Sequence, residues 1–205
     1  IVWLAEAGEQ KKVVSMVGSL SDFFRISLNQ GQDILDVKEE LQHVRSYLEI
    51  QQMRYQDILQ YEICVPEELN HCQIPKITLQ PLVENAIFHG IEPKGCAGHI
   101  RIHVGYETSD NTEKIRIDVT DDGVGMTADK AAQVLRSNDD SSADFFREIG
   151  VSNVHKRLQY QFGAEYGITI ESKEGEYTTM SIHIPNIPLH NNETVSSETI
   201  SSENT

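Results

Sequence analysis

Three short stretches hold the side chains best suited to chemistry. In QPLVENAIFHG, Gln80 to Gly90, the residues Leu82, Val83, Ala86 and Ile87 recur at the spacing of one apolar helix face, yet Glu84, Asn85 and His89 ride on the same helix. A carboxylate, an amide and an imidazole on a core helix each need a partner or water, so they ask for a purpose. At about 100° per residue, Asn85 and His89 fall about 40° apart on one flank of the apolar stripe. Glu84 falls on the opposite flank, pointing away from Asn85. An amide carbonyl is a hard oxygen ligand, and Mg²⁺ takes as few as one or two protein ligands beside substrate phosphates, so Asn85 alone can serve such an ion. Taken by itself, His89 reads more simply as a hydrogen-bonded structural histidine. The second stretch, DDGVG, Asp121 to Gly125, directly follows a strand pattern. Glycines there let backbone approach a ligand closely, and a strand-end carboxylate can accept hydrogen bonds from an exocyclic amine such as that of adenine. An Asp-Gly pair is also an ordinary hairpin signal. The third, EIGVSNVHKRL, puts Gly150 just before an expected helix start, where free amides form an anion site. A plain loop-to-helix junction is the alternative.

The elements that must position these residues follow from periodicity. Two helical patterns open the chain, with Val13, Val17, Leu20 and Phe24 on one stripe and Val37, Leu41, Val44 and Leu48 on the next, separated by the turn NQGQD. Asp36, with Glu39 three residues on, marks the start of the second helix as in a capping box. The first stripe suits a partner helix across a dimer interface, and IVWLAEAGEQ before it reads as the tail of a longer helix, as in a fragment. From Tyr61 the period becomes two: Tyr61–Val65, His99–Val104, Lys114–Thr120, Gly167–Ser172 and Thr178–Ile184 are expected strands. A further helix is expected over Asn153–Phe162. Strands mainly linked by hairpins, with helices on one face, make an α+β two-layer sandwich. Thr127 to Glu148, acidic and Ser/Asp-rich, fits neither period and reads as a mobile lid. The stretch NNETVSSETISSENT has almost no apolar residues and reads as disordered.

Composition narrows the classes. A chain of 205 residues can bury a substantial core without staples, and three cysteines with no CxxC pair point to a reducing, cytoplasmic setting rather than a disulfide framework. No apolar run approaches the length that spans a bilayer. The net charge of −15 argues against a nucleic acid partner. A bound polyphosphate must then be met locally, by a metal ion, backbone amides or a few cations. His71, Cys72, Cys96 and His99 match no zinc-finger spacing.

The order of these segments resembles the Bergerat-type nucleotide-binding domain shared by gyrase, Hsp90, histidine kinases and MutL. EELQHVRSYLEIQQMRYQD, IPKITLQPLVENAIFHGIEPK, DVTDDGVGM, IGVSNVHKRLQYQFGAEYGITIES and TTMSIHIP together look like a LytS/YesM-type bacterial sensor histidine kinase, from Leu4 to Pro185. LQPLVENAIFHG is the specific part, whereas DDGVG is shared widely. The resemblance implies ATP and Mg²⁺ as cofactors, with Asn85 holding the metal and Asp121 contacting the adenine amine. By the same resemblance Gly123 and Gly125 wrap the base, Gly150 belongs to the second glycine box, Thr178 and Thr179 close the adenine pocket, and His89 and Lys94 lie near the phosphates. The base that related ATPases carry four residues before the metal-binding Asn is here replaced by Pro81, which leaves Glu84 as a polar catalytic candidate.

The implied reaction moves the ATP γ-phosphoryl to a histidine and then to an aspartate of a response regulator. The family's acceptor histidine sits in a segment resembling NPHFLYNTL, expected upstream of this chain. His43 lacks those surroundings and reads as part of a solvated helix face. The expected organisation is a partial helical dimerisation region at 1–56, an ATP-binding domain at 57–185 and a tail at 186–205, forming a homodimer through the N-terminal helices. The implied location is the cytoplasmic side of a bacterial inner membrane, anchored only through a missing N-terminal part. Two places depart from the family pattern: Glu148 and Val151 replace residues of GIGL, and Tyr177 stands where GEGTT has glycine. A carboxylate beside the phosphate path would repel a nucleotide. A pseudokinase signalling module with weak or no ATP binding, or another ATPase of the superfamily, therefore stays open as an alternative.

Overall fold

The structure, a computed structural model, describes residues 1–28, 33–55, 58–109, 112–136 and 145–188, leaving aside the side chains of 109, 112 and 145–149. Two helices, α1 (Val2–Glu6) and α2 (Gln10–Ser27), precede the short strand β1 (Ile34–Asp36) and helix α3 (Val37–Arg54). Asp36 caps α3 as its sequence implies, its Oδ1 accepting the Glu39 N–H at 2.7 Å. Next come β2 (Leu59–Cys64), a 3₁₀ turn and β3 (Gln73–Pro75), which pairs antiparallel with β1. The helix α4 (Gln80–Asn85) runs without a break through a π-helical turn, Ala86–Ile91, into α5 (Glu92–Lys94), and Gly95 ends the rod at φ +68°. The remainder is β4 (Gly98–Ser109), β5 (Thr112–Asp121), α6 (Ala128–Arg136), α7 (Phe145–Phe162), β6 (Gly167–Lys173) and β7 (Tyr177–Pro185).

Five strands form one sheet in the order β2-β4-β5-β7-β6, parallel between β2 and β4 and antiparallel elsewhere. Alternation sends Ile100, Ile102, Val104, Ile115, Ile117, Val119, Met180 and Ile182 into the core. The intervening Arg101, Arg116, Asp118 and Thr120 lie on the other face. This is the expected α+β sandwich of helices over a sheet. The core is shared more widely than the expected division at residue 56, because Val37, Leu41, Val44 and Leu48 of α3 join the same buried cluster as the sheet. Of the first two helices, α1 contributes nothing to that cluster and α2 only Phe23, which packs against it.

Four expectations need correction. The acidic stretch after Thr127 is not all irregular: α6 occupies Ala128–Arg136 and buries Ala131 and Val134, while 137–144 lie outside the described residues. α7 starts at Phe145 rather than Asn153. The tail does not begin at 186, since the Ile187 carbonyl accepts the Gln73 N–H at 2.8 Å and Pro188 bridges to Cys72; from 189 onward the chain lies outside the described residues. His43 is no surface residue. It is fully buried, stacked on Phe23 with ring centroids 4.6 Å apart, and its Nε2 lies 2.8 Å from Ser27 Oγ. The antiparallel packing of α2 along α3 covers it, a contact that no reading of α3 alone can supply. Burial lowers its pKa.

The cap at α3 supplies a simple check. Asp36→Ala should cost about 1 kcal/mol, seen as a lower urea midpoint with an unchanged slope of the transition.

Candidate functional site

The rod from Gln80 to Ile91 has two faces of opposite character. Leu82, Val83, Ala86, Ile87 and Ile91 are all buried against the core. The other face, Pro81, Glu84, Asn85, Phe88 and His89, lines a cavity of about 400 Å³ whose remaining walls are Tyr47 and Gln51 of α3 and Gly150 of α7. Glu84 therefore shares its cavity with Asn85, contrary to the expectation that it points away. The two flanks of an apolar stripe border the same polar face on the far side of the helix, so residues on opposite flanks meet there. Asn85 is almost wholly buried at this wall. Glu84 Oε1 accepts a hydrogen bond from Gln80 Nε2 at 2.8 Å. The Tyr47 hydroxyl stands beside it, its pKa raised first by burial and then by the Glu84 charge.

The second half of the site lies at the end of β5. Asp121 and Thr178 are register partners on the inner face of β5 and β7, and both are buried. Asp121 Oδ1 accepts the Gly123 N–H at 2.9 Å. The two halves touch through Gly90, where an added Cβ would stand 2.3 Å from Asp121 Oδ1. Gly123 is packed equally hard against the backbone of Gly90, and Gly125, at φ +64°, against the carbonyl of Lys173. In this state the DDGVG glycines approach protein backbone, which lets the turn tuck under the π-helical segment. Val124 N–H completes the contact by donating to the Gly90 carbonyl at 3.0 Å.

The remaining candidates divide. His89 lines the cavity with Asn85. Lys94 does not; its Nζ pairs with Asp122 Oδ2 at 3.1 Å, at the Asp121 end. Thr179 sits on the opposite face of β7 from Thr178, where its hydroxyl is 2.9 Å from Thr120 Oγ1. Gly150 is not at a helix start but inside α7, where an added Cβ would meet Pro81 Cβ at 3.2 Å, so its smallness serves a close helix crossing. Tyr177 turns to the outer sheet face and donates to Glu171 Oε1 at 2.7 Å, away from the cavity. The Glu148 side chain lies outside the described residues. Sequence reasoning missed Tyr47, Gln51 and Phe88 as cavity walls. It also missed Ser172, whose Oγ takes the Met126 N–H at 2.8 Å and lies 2.9 Å from Thr178 Oγ1, tying the glycine turn to β6 and β7. Its place at the end of a strand opposite the two threonines was the available signal.

The donor set fits an ion carried in by phosphates. Among the described residues no three His, Cys, Asp or Glu side chains cluster to hold a metal alone. Asn85 with Glu84 beside it offers one or two oxygen ligands, the number Mg²⁺ needs when phosphates supply others. Among the described residues, no Lys or Arg lines the cavity.

Comparison with known proteins places the chain in a family. The family described as "Histidine kinase-, DNA gyrase B-, and HSP90-like ATPase" matches residues 75–188. The chain belongs to that family. A second description, "Histidine kinase", matches residues 1–59. The sensor histidine kinase YesM of Bacillus subtilis is 37% identical over 187 residues, which cover 90% of this chain and 30% of YesM. BtsS of Escherichia coli is 30% identical over 177 residues, 86% of this chain and 28% of BtsS. The chain thus spans under a third of the length of these sensor kinases. The same fold occurs in the histidine kinase domain of the blue-light activated kinase of Erythrobacter litoralis, with TM-score 0.53 and 12% identity over 89% of this chain and 83% of that one. It occurs again in the catalytic domain of histidine kinase ThkA, with TM-score 0.53 and 17% identity over 76% of this chain and 97% of that one.

In this member of the histidine kinase-like ATPases, Asp121 is held in an unusual state. Burial raises its pKa from the ordinary 3.8 to about 7, against the Gly123 N–H and Lys94, which lower it. Because the folded pKa lies above the unfolded one, Asp121 contributes stability that is fully present below pH 3.8 and is lost as pH rises through about 7. Asp121→Asn keeps an acceptor for Gly123 and removes the buried charge. The variant should melt at a higher temperature than the parent at pH 8, and the difference should shrink toward pH 5 in a series of thermal melts.

Proposed function

We propose that this chain is the ATP-binding catalytic region of a two-component sensor histidine kinase. The observation that carries this is the buried Asn85 amide at the wall of a cavity of about 400 Å³, on the same continuous helical rod whose Gly90 abuts the buried Asp121. The cavity offers oxygen ligands at Asn85 and Glu84, and beyond its lining, across Gly90, lies a buried carboxylate with a hydroxyl neighbour, Asp121 with Thr178; a magnesium–nucleotide requires a phosphate end and a base end of this kind. Asp121 and Thr178 accept or share hydrogen bonds with the adenine edge, and Asn85 offers its carbonyl oxygen at the phosphate end. A magnesium ion held at Asn85 would supply positive charge to the phosphates. Glu84 is placed to orient the acceptor imidazole through its N–H. In the transfer the bond from the γ-phosphorus to the bridging oxygen breaks as a bond to an imidazole nitrogen forms, and ADP leaves with that oxygen. Positioning and charge stabilisation supply most of the acceleration in such reactions. In this reading the phosphoryl group passes from the histidine to an aspartate of a response regulator.

The helices before the ATPase region serve dimerisation in this reading. Val14, Val17 and Phe24 of α2 and Leu28 just after it are exposed. With Ser21 they follow a 3-4-3-4 spacing, which is the seam of a two-helix packing. Among the described residues no helix is long and apolar enough to cross a membrane. The expected site of action is the cytoplasmic side of a bacterial membrane.

Two measurements test the reading. In calorimetric titration with a non-hydrolysable ATP analogue, the chain should bind more tightly with Mg²⁺ than without it, and Asn85→Ala should remove that gain, on the order of tenfold. No saturation at millimolar nucleotide would overturn the kinase reading in favour of a nucleotide-free signalling module. For the seam, Phe24→Asp should turn a concentration-dependent dimer into a monomer in sedimentation velocity.

A further inference from the structure

Away from the cavity, one more carboxylate is completely buried. Glu40, in the first turn of α3, accepts three backbone hydrogen bonds in a row: Ile77 N–H to Oε2 at 3.0 Å, and Thr78 and Leu79 N–H to Oε1 at 2.7 and 2.9 Å. Leu79 directly precedes α4, so these amides include donors that the helix cannot satisfy itself, at the end where its dipole favours negative charge. Ile77 has φ +56°, a left-handed conformation that a β-branched residue rarely adopts. A backbone held this way persists only when its surroundings impose it. On the far side Arg157 of α7 donates to the Ile77 carbonyl at 2.8 Å and to Thr78 Oγ1 at 3.0 Å. Three elements therefore converge on residues 77–79: a carboxylate from α3, a guanidinium from α7 and the start of α4.

We propose that Glu40 is a positioning residue for the nucleotide site, clamping the strained 77–79 segment so that α4 presents Glu84 and Asn85 to the cavity at one fixed depth. The clamp also joins that helix to the N-terminal hairpin. α3 is bonded to α2 at both ends of their contact, through Ser19 Oγ to Glu49 Oε2 at 2.6 Å and through Ser27 to His43. A displacement of α2 along α3 then reaches the Asn85 helix through Glu40. Neither Glu40 nor Arg157 lines the cavity, so their influence is through backbone position alone.

The proposal rests on the reading of Asn85 as the magnesium ligand, and its test separates the two. Glu40→Gln keeps the shape but turns one acceptor oxygen into a donor facing backbone N–H groups. In the full 205-residue chain, hydrogen exchange by mass spectrometry should show faster exchange across 77–91 with no change in β6 and β7. The magnesium-dependent gain in ATP-analogue affinity should fall on the order of tenfold, with magnesium-free affinity unchanged. A folded Glu40→Gln chain with parental exchange at 77–91, or with an intact magnesium-dependent gain, overturns the proposal. Should that variant fail to fold, Arg157→Lys removes the two-point contact on the same segment and decides by the same readouts, expected in the same direction and smaller. If the parent chain binds no magnesium–nucleotide, the proposed function fails, and the exchange comparison still decides whether Glu40 sets the position of α4.

Discussion

The rod from Gln80 to Ile91 can sit on the sheet in only one rotation, and nearly everything about the site follows from that. Its five buried apolar side chains contribute on the order of 10 kcal/mol to folding, and turning the helix to expose them would forfeit most of it. The opposite face is then committed to the cavity, bringing Glu84, Asn85, Phe88 and His89 to one wall. The π-helical turn extends the consequence: Gly90 comes against Asp121 so closely that no side chain fits between them. Such turns recur at functional positions because they redirect a helix face without ending it.

The chain is strongly acidic, yet among the described residues it buries two carboxylates, Glu40 and Asp121, and it treats them differently. Glu40 receives three backbone N–H bonds and a nearby guanidinium, which offset the burial that raises its pKa. A carboxylate so well bonded serves as a structural tie. Asp121 receives one backbone N–H and faces Asp122 as well as Lys94, and its pKa stands at about 7. Buried carboxylates with raised pKa values of this kind concentrate at functional sites. Similarity in residue type thus conceals a division between a carboxylate bonded to three backbone amides and one bonded to a single amide.

The sheet was readable because alternation is a local property: strands near Tyr61, His99, Lys114, Gly167 and Thr178 all appear, with ends shifted by up to five residues at β4. The Asp36 cap was readable for the same reason. The misses share another cause. His43 looked solvated because its own helix is polar around it, and only the folding back of α2 buries it against Phe23. Gly150 looked like a helix start because glycine usually interrupts helices, but the crossing over Pro81 requires a residue without a side chain in mid-helix. Residues 186–188 looked like tail because they have no periodicity, and β3 holds them by backbone bonds that carry no sequence signature.

By itself, then, the sequence determined the five strands of the main sheet, the helices of the N-terminal part and the helix at Gln80, the apolar face of that helix, and the resemblance on which the expectations for Asn85 and Asp121 rest. Those properties depend on spacings of two to four residues along one chain segment. Only the tertiary structure decided that Glu84 shares a cavity with Asn85, that Thr178 and not Thr179 accompanies Asp121, that Lys94 is engaged with Asp122, and that Glu40 grips the start of α4. Each of these depends on how separate elements cross or pair, as Glu40 and Leu79 do across 39 positions of chain, and such meetings are set by packing of whole apolar faces rather than by any local pattern.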